Sequence, residues 1–414
     1  MESKPMKKDV IILLESGNRA SEVNYLVQKG YEVILVSSGV LPIDRENLMG
    51  CLKHLTDKKI IDINYTRQLL NKLKQKFNIK SLFSTSDFFT YQASILSQEF
   101  ELLGDRSNID FSNKYTFRKM QKALGYKFPE FHKCSSLEEG INILKKTKKK
   151  MVFKPINGNE STGVKLISSE KDLEDAFHHL LKLSRFTNNL IKNEYLLEEY
   201  ISGDIFSCEF VKDTNKTIIL GTTNRIMSNP PYFIELGYTF PYEGKETSSL
   251  TEITLDFIRD FKYSFGACHI EYIISDKDNS IYILEVNPRL VGWPNYWMIN
   301  KALNCDIFGS IGDLYTTGLF DFEFPNIKQT AVCLEVTSPI DGYLLKLSFP
   351  KCINDDIEII TNVEESQFIH NPRSNTDIIA RILVCKDSYE NAQNEALEIL
   401  RGFSLDLRIK PQLI

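Results

Sequence analysis

The sequence lacks the features that mark several common classes of protein. Its eight cysteines form no C-x-x-C pair, and no cysteine or histidine cluster has metal-ligand spacing, so a zinc site is not expected. No apolar run approaches the roughly 18 residues that a transmembrane helix needs, and the sequence shows no signal-peptide pattern. We therefore expect a cytoplasmic protein without a membrane partner.

Two familiar phosphate-binding motifs are also missing. The pattern G-x-x-x-x-G-K-[ST] does not occur, and the first turn, "ESGNRAS" (15–21), has one glycine where a dinucleotide fingerprint needs three. The net charge of -5 and the pI of about 5.8 provide no global electrostatic basis for binding nucleic acid. A phosphorylated ligand would therefore have to be held by other elements.

The 414 residues are 42% hydrophobic and sufficient for two or three domains. Near the N-terminus, apolar runs at 9–16 and 31–38 flank a helical pattern at 18–30, and a further helix and apolar run follow at 66–79 and 81–86. Strands without polar alternation that alternate with helices are typical of a parallel α/β sheet. From about residue 113 the pattern changes to mixed α+β.

Paired carboxylates occur on two adjacent predicted strands, 267–274 and 281–287, which a polar turn separates. If the loop is the five residues 276–280, Glu271 lies opposite Glu285, and His269 lies opposite Asn287. Directly opposed side chains have Cβ atoms roughly 4.5–5.5 Å apart, and like charges there are destabilising. Glu271, Glu285 and Asn287 together form an all-oxygen site suited to Mg²⁺. A solvent-facing hairpin without a metal is the alternative.

A small-residue loop follows the strand that contains Lys154. The loop residues are Gly158, Ser161, Thr162 and Gly163. Small residues allow backbone N–H groups to approach an anion, and a lysine adds a positive charge. The stretch therefore indicates a phosphate site, with an ordinary hairpin turn as the alternative.

The segment "LLEEYISGD" (196–204) is a candidate for binding an adenine ring. A carboxylate of Glu198 or Glu199 could accept a hydrogen bond from the adenine amino group, and the backbone of Tyr200 and Ile201 could meet the ring edge. By itself the segment is equally compatible with an ordinary strand and turn.

In this order, these motifs resemble the ATP-grasp superfamily over about residues 113–315. "NPRLVGW" (287–293) and "PPYFIELGYTFP" (230–241) are most similar to the L-amino-acid ligases of the bacilysin-synthetase type. The resemblance implies an α/β and α+β fold in which two α+β subdomains clamp ATP. It also implies the following bounds: a Rossmann-like domain at 1–112, an ATP-grasp domain at 113–315 (subdomains 113–200 and 201–315), and a C-terminal lobe at 316–414 that completes the large subdomain.

The resemblance also implies roles for individual residues. The implied ATP contacts are Lys114, Lys154, Gly158, Ser161, Thr162, Gly163, Glu198, Glu199, Tyr200, Ile201 and Asp204. The metal ligands, for Mg²⁺ or a substituting Mn²⁺, are Glu271, Glu285 and Asn287. The implied catalytic residues are Arg289 and Glu235. Arg225, in "GTTNRIM" (221–227), is a third catalytic candidate as a ligand of phosphate or carboxylate, with a surface ion pair as the alternative. The substrate pocket is formed by Glu235, Tyr238, Arg289, Gly292, Trp293 and Asp377. The family usually has histidine in place of Tyr238 and an acidic residue in place of Ile205.

The expected function is ATP-dependent formation of a dipeptide from two L-amino acids through an acyl phosphate. Asp377 would favour a cationic amino acid if it reaches the pocket, and it is a turn residue otherwise. Two alternatives are a ligase that uses a carboxylate or amine other than an amino acid, and a nucleotide-binding regulator without turnover. The partners would be small molecules, and a homodimer is compatible with the sequence.

Overall fold

The N-terminal region forms a parallel sheet with helices packed against it. The computed structural model describes residues 7–326, 328–350 and 355–409. The first elements are β1 (Asp9–Leu14), α1 (Ser21–Gln28), β2 (Val33–Ser37), β3 (Lys53–Thr56), α2 (Ile63–Lys76), β4 (Asn78–Phe83) and α3 (Thr90–Glu99). The strands pair in parallel in the order β3-β2-β1-β4. The predicted parallel α/β sheet is confirmed.

The next region is a small antiparallel sheet covered by helices. Its elements are α4 (Lys114–Ala123), β5 (Phe131–Cys134), α5 (Leu137–Lys146), β6 (Met151–Pro155), β7 (Lys165–Ile167), α6 (Glu170–Phe186) and β8 (Tyr195–Glu199). The strands pair in the order β5-β8-β6-β7. Strand β8 ends at Glu199, so Tyr200 and Ile201 lie in the connection that leads out of the sheet.

A larger antiparallel sheet forms most of the remainder. Its elements begin with β9 (Gly203–Lys212), β10 (Thr217–Met227), β11 (Glu235–Phe240), α7 (Thr247–Asp260), β12 (Gly266–Ser275), β13 (Ile281–Asn287), α8 (Asn295–Ala302) and α9 (Ile307–Thr317). They continue with β14 (Thr330–Val336), β15 (Gly342–Ser348), β16 (Ile357–Thr361), β17 (Phe368–Ile369), β18 (Ala380–Lys386), α10 (Tyr389–Arg401) and β19 (Ser404–Arg408).

The C-terminal strands extend the sheet that begins with β9. The strand order is β13-β12-β9-β10-β11-β14-β18-β16, and a separate sheet pairs β17-β15-β19. The predicted mixed α/β and α+β fold class is confirmed. Because β14, β16 and β18 belong to the same sheet as β9–β13, the domain boundary at 316 stays a prediction made from the sequence.

The N-terminal region shares a buried core with the larger sheet. Leu26 and Phe83 from the parallel sheet and its first helix lie in one apolar cluster with Met298 and Phe308 from α8 and α9. This packing brings the ends of β1 and β4 against the chain that leaves β13. Among the described residues, no helix is long and apolar enough to cross a membrane.

Candidate active site

The hairpin of β12 and β13 brings the predicted carboxylates face to face. Glu271 is directly opposite Glu285, and His269 is directly opposite Asn287. The loop joining the strands is 276–280, as predicted. Opposed residues of an antiparallel pair lie on the same side of the sheet, so these side chains share one face.

A β-bulge at Leu284 sets this arrangement. Near the turn Ile274 pairs with Ile281 and Tyr272 with Ile283, but the next pair is Glu271 with Glu285, so Leu284 is an extra residue. Ile283 and Val286 therefore both lie in the apolar core under the sheet, although they are three positions apart and would otherwise face opposite sides. The bulge shifts the alternation of side chains along β13 by one residue. Glu285 therefore faces the same side of the sheet as Glu271 and Asn287, which we call the cleft, and its hydrophobic neighbours face the core.

Arg118 holds the bulge in place, and it was not predicted from the sequence. Its guanidinium donates to the carbonyl oxygen of Leu284 at 2.8 Å and to that of Ile283 at 3.2 Å. The same group binds Glu198 at 2.7 and 3.3 Å. Lys114, Arg118 and Gln121 are buried on one face of α4, at positions i, i+4 and i+7. That polar stripe on a helix is the sequence signal that could have identified Arg118.

Both predicted nucleotide lysines point into the cleft. Lys114 lies in the first turn of α4 and donates to Glu285 and to the carbonyl oxygen of Gly158, both at 3.2 Å. Lys154 lies 2.8 Å from Glu198. Burial lowers the pKa of Lys154, whereas the charge of Glu198 opposes that change. Helix α4 and strand β6 thus bring the ammonium groups of Lys114 and Lys154 to one end of the cleft.

The carboxylate of Glu198 is an internal counterion. It is 1% exposed, between Arg118 and Lys154. Burial alone would raise the pKa of Glu198, but Arg118 and Lys154 outweigh it and lower the pKa to about 2. The predicted hydrogen bond from adenine to this carboxylate is therefore not favoured.

The connection after β8 presents a backbone group for a ring edge. The N–H of Tyr200 donates to Lys150 at 2.9 Å, whereas that of Ile201 has no acceptor within the described residues. The side chain of Glu199 binds Lys149 at 2.9 Å. Among the predicted adenine contacts, the N–H of Ile201 thus stays available for a ring edge.

Asp204 is a predicted nucleotide contact that lies on the wrong face of the sheet. In the ladder, Asp204 pairs with Ile274 and Phe206 with Tyr272, on the side of the buried helix core. Ser207 pairs with Glu271 on the cleft side. Because alternate residues face opposite sides, Ile205 faces the cleft and Asp204 does not. This register argues against Asp204 as a ribose contact.

The predicted phosphate loop spans the turn between β6 and β7. Gly163 has φ of 76°, in the left-handed region that glycine adopts without strain, and the N–H of Thr162 donates to Asn159 at 3.0 Å. The side chains of Ser161 and Thr162 make no hydrogen bond in the described part of the chain. Gly158 contacts Lys114 through its carbonyl oxygen, which ties the loop to the lysine.

A second cluster surrounds Glu235 at the start of β11. Arg225 on β10 forms an ion pair with Glu235 and lies 3.1 Å from Glu271, so it links Glu235 to the opposed carboxylates of Glu271 and Glu285. Tyr238 donates to Glu235 at 2.7 Å. Burial alone would raise the pKa of Glu271, but Arg225 and His269 outweigh it and hold that pKa below its ordinary value.

His269 connects Glu271 to a buried carboxylate, Glu209 on β9. The imidazole lies 2.6 Å from Glu209 through Nδ1 and 3.1 Å from Glu271 through Nε2. Burial alone would lower the pKa of His269, but Glu209 outweighs it and raises the pKa to about 9. His269 therefore links Glu271 to Glu209 and orients the Glu271 carboxylate from behind.

The C-terminal segment reaches the pocket through Asn375, not through Asp377 as predicted. The side chain of Asn375 accepts from the N–H of Glu235 at 3.0 Å and donates to its carboxylate at 2.7 Å. The carboxylate of Asp377 instead accepts from the N–H groups of Arg373 and Ser374 at 2.8 and 3.1 Å. Asp377 caps its own turn, so the predicted selection of a cationic substrate by this residue loses its basis.

Arg289 is bound by an aspartate of the N-terminal region, which was also missed. Its Nε and Nη2 each donate to Asp87 at 2.6 Å, and Nη1 donates to the carbonyl oxygen of Leu290. The segment after Arg289 rests on the first turn of the chain. Asn18 accepts from the N–H of Trp293 at 3.2 Å, and a Cβ at Gly292 would lie 3.3 Å from the same oxygen.

The donor set fits a hard divalent cation. Glu271 and Glu285 each have one carboxylate oxygen without a hydrogen-bond partner, and the buried amide of Asn287 has none in the described residues. No cluster of three His, Cys, Asp or Glu side chains suited to a metal occurs in those residues. Two carboxylates and an amide nevertheless suffice for Mg²⁺, because this ion keeps waters and shares the phosphates of its substrate.

Comparison with known proteins agrees with this geometry. Residues 111–293 match the family model described as "ATP-grasp domain". An uncharacterized protein of Methanocaldococcus jannaschii is 27% identical over 285 residues, 66% of this chain and 67% of that protein. An uncharacterized protein of Sinorhizobium fredii is 24% identical over 58% of this chain, but the match spans only about half of that protein, 49%.

Solved structures show the same fold over nearly the whole chain. The L-amino acid ligase from Bacillus licheniformis superposes with a TM-score of 0.77 and 17% identity, covering 98% of this chain and 100% of that one. Phosphoribosylglycinamide synthetase from Anaerococcus prevotii gives a TM-score of 0.68 and 16% identity, covering 97% and 100%. The N5-carboxyaminoimidazole ribonucleotide synthetase from Thermotoga maritima gives 0.65 and 16%, covering 97% and 100%.

Fold and site together define a mixed α/β chain in which paired carboxylates and buried cations converge between elements of the small and the larger antiparallel sheets. Residues 111–293 match the ATP-grasp domain, and the fold of nearly the whole chain is like that of the L-amino acid ligase.

Proposed function

We propose that this chain is an ATP-dependent carboxylate–amine ligase that joins two L-amino acids through an acyl phosphate. The observation behind the proposal is the convergence on one cleft of the opposed Glu271 and Glu285 with Lys114, Lys154 and Arg289. A protein that only bound a nucleotide would have no need of two destabilising carboxylates beside an arginine. The likeness to the L-amino acid ligase supports the substrate class.

Glu271, Glu285 and Asn287 would hold Mg²⁺, which would supply charge neutralisation at the phosphates. The N–H of Ile201 would bind the adenine edge. Lys114 and Lys154 would bind phosphate oxygens at the other end of the cleft, where preorganised charges stabilise the transferring group without reorganisation. The 158–163 loop would exclude water from the acyl phosphate.

The chemistry consists of two displacements. A carboxylate oxygen of the donor amino acid attacks the γ-phosphorus of ATP, and ADP leaves. The acceptor ammonium loses a proton to solvent, its nitrogen attacks the carbonyl carbon, the carbon–oxygen bond to phosphate breaks, and the departing phosphate takes up the second proton from the nitrogen. Arg289 stabilises the negative charge of the acyl phosphate, because its planar fork matches that group.

Glu235 would bind the α-ammonium of the donor amino acid. Arg225, Tyr238 and Asn375 fix the orientation of its carboxylate. Arg225 also joins Glu235 to Glu271, so the ammonium site is held at a defined position relative to the metal pair. Gly292 and Trp293 would line the same pocket, and their backbone is fixed by the contact with Asn18.

A ligase for a different carboxylate or amine is the second candidate. It is favoured by the likeness of the fold to two synthetases named for ribonucleotide products, at TM-scores of 0.68 and 0.65. The Glu235 cluster weighs against it, because a carboxylate at the substrate end of the cleft suits an ammonium group.

The test is phosphate release with ATP and Mg²⁺ from amino acids supplied singly and in pairs, followed by the mass of the product. We expect release that requires two amino acids and a product with the mass of a dipeptide. Release with one amino acid and another amine would support the second candidate, and no release would refute both. Glu285→Gln should abolish turnover in a folded protein, whereas Glu243→Gln, at an exposed site, should not.

A further inference from the structure

The N-terminal region contributes one ionisable side chain directly to the reacting end of the cleft. Asp87 follows β4, on the loop that leads into α3, and its side chain is 9% exposed. In open α/β sheets ligands bind beyond the carboxyl ends of the strands, which is where this loop lies. Asp87 therefore occupies a ligand-binding edge of the parallel sheet and faces a second subdomain across it.

The pairing of Asp87 with Arg289 uses the fork of the guanidinium. Nε and Nη2 donate to the two carboxylate oxygens at 2.6 Å each, the bidentate arrangement that also recognises phosphate. No other described side chain hydrogen-bonds the carboxylate of Asp87. An Arg289 that turns its fork to an acyl phosphate consequently leaves Asp87 as a largely buried carboxylate without a partner.

Asp87 also lies within electrostatic reach of the metal pair. Burial raises the pKa of Glu285 most, and the charges of Glu271 and Asp87 raise it further, against the opposing effect of Lys114. The other cleft carboxylate suited to an ammonium, Glu235, is held by Arg225, Tyr238 and Asn375 on the opposite side. Asp87 and Glu235 thus present carboxylates from different parts of the chain beyond the Glu271–Glu285 pair, one for each of two ammonium groups.

We propose that Asp87 binds the ammonium group of the second substrate, the acceptor amine, once Arg289 has exchanged Asp87 for the acyl phosphate. The inference rests on the proposed ligase function and adds a binding role without a further chemical step. Leaving a buried carboxylate without its cation costs free energy, and binding an ammonium group removes that cost. Acceptor binding should therefore follow formation of the acyl phosphate.

The test separates the two half-reactions in the full-length chain. Hydroxylamine, which is uncharged near neutral pH, traps the acyl phosphate as a hydroxamate without needing an ammonium site. We expect Asp87→Asn to keep hydroxamate formation within roughly threefold of wild type. Its kcat/KM for the acceptor amino acid should fall by roughly 10–100-fold, the usual effect of losing a hydrogen bond to a charged group.

The matched control is Asp62→Asn in the same region. Asp62 caps α2 at its N-terminus, and asparagine preserves that cap, so both half-reactions should be unchanged. Asp87→Glu, which keeps the charge, should recover acceptor use to within roughly tenfold and guards against a folding defect. Melting temperatures of the three variants establish that each is folded.

Three outcomes would overturn the assignment. Equal losses of hydroxamate and dipeptide would mean that Asp87 only positions Arg289. A lower KM for the donor with unchanged acceptor kinetics would mean that Asp87 only competes with the donor carboxylate. Unchanged kinetics throughout would remove any role. A wild-type chain that forms neither product would refute the proposed function, and this assignment with it.

Discussion

Replacing Arg118 tests whether the site depends on one buried guanidinium. Arg118 is 1% exposed and joins three parts of the site: α4, the carboxylate of Glu198 on β8, and the bulge carbonyls of Ile283 and Leu284. Arg118→Met keeps an unbranched stem about as long as the aliphatic part of arginine and removes the charge and all the donors. The buried carboxylate would then be left with Lys154 alone.

The magnitude follows from the partners that are stranded. Removing one member of a buried ion pair costs about 3–5 kcal/mol, because the remaining charge stays desolvated. The carbonyl of Ile283 keeps a donor from Gln121 at 2.9 Å, whereas that of Leu284 loses its 2.8 Å bond to Arg118. With about 2–4 °C of melting temperature per kcal/mol in a unit of this size, we expect a decrease of about 6–20 °C.

Calorimetry of the single and double variants measures the effect. Arg118→Met with Glu198→Gln removes both charges, so the combined loss should be smaller than the sum of the single losses by about 2 kcal/mol or more. Lys119→Met on the exposed face of α4 should change stability by about 0.5 kcal/mol or less. A loss below about 1 kcal/mol for Arg118→Met, or additive losses in the cycle, would refute the reasoning.

Three further predictions concern charge at the site. The pKa of Glu198 is lowered from 4.5 to about 2, so its contribution to stability is present above pH 4.5 and is lost as the pH falls toward 2. Arg118→Met should therefore shift acid unfolding, followed by circular dichroism, to higher pH. An unchanged midpoint would contradict this cause. Asn375→Asp places a second carboxylate beside Glu235 and should lower kcat/KM for the donor amino acid by roughly 10–100-fold in steady-state kinetics. Asn394→Asp, exposed on α10, should not, and equal effects would argue against a role for Asn375. Asp377→Asn should leave the preference between cationic and neutral amino acids unchanged in competition assays, because that carboxylate caps its own turn. A changed preference would restore the charge-selection hypothesis.

The hairpin illustrates how far the sequence alone could lead. A five-residue loop was enough to predict that Glu271 opposes Glu285, and the structure has that pairing. Loop length alone does not explain that pairing. Next to the turn, Ile274 pairs with Ile281, which is one residue away from the predicted register, and the bulge at Leu284 restores the predicted register farther along the strands. A bulge leaves no simple mark in a sequence, because it is stabilised by tertiary hydrogen bonds such as those from Arg118.

The missed residues are those whose roles depend on contacts between distant segments. Asp87 meets Arg289 across 202 positions, and Asn375 meets Glu235 across 140. No local period connects such pairs, so an aspartate in "STSDFF" (84–89) or an asparagine in "RSNTD" (373–377) looks like an ordinary loop residue. Asp204 was misplaced for the opposite reason, since a displacement of one residue along a strand reverses the face.

The cations assigned to the phosphates share a feature that constrains what else must bind. Lys114 pairs with Glu285 at 3.2 Å, Lys154 with Glu198 at 2.8 Å, and Arg289 with Asp87 at 2.6 Å. Burying a cation without a counterion costs free energy. Each of these carboxylates lowers that cost for the cation with which it pairs.

Phosphate binding then becomes an exchange of partners, and each released carboxylate needs a new cation. Glu198 retains Arg118 and requires nothing further. Glu285 and Asp87 have no second cation within hydrogen-bond distance among the described residues. The two carboxylates released in the exchange therefore need new cations, a divalent metal at Glu285 and an ammonium group at Asp87. These are the two cationic species that amide formation from ATP brings to the site.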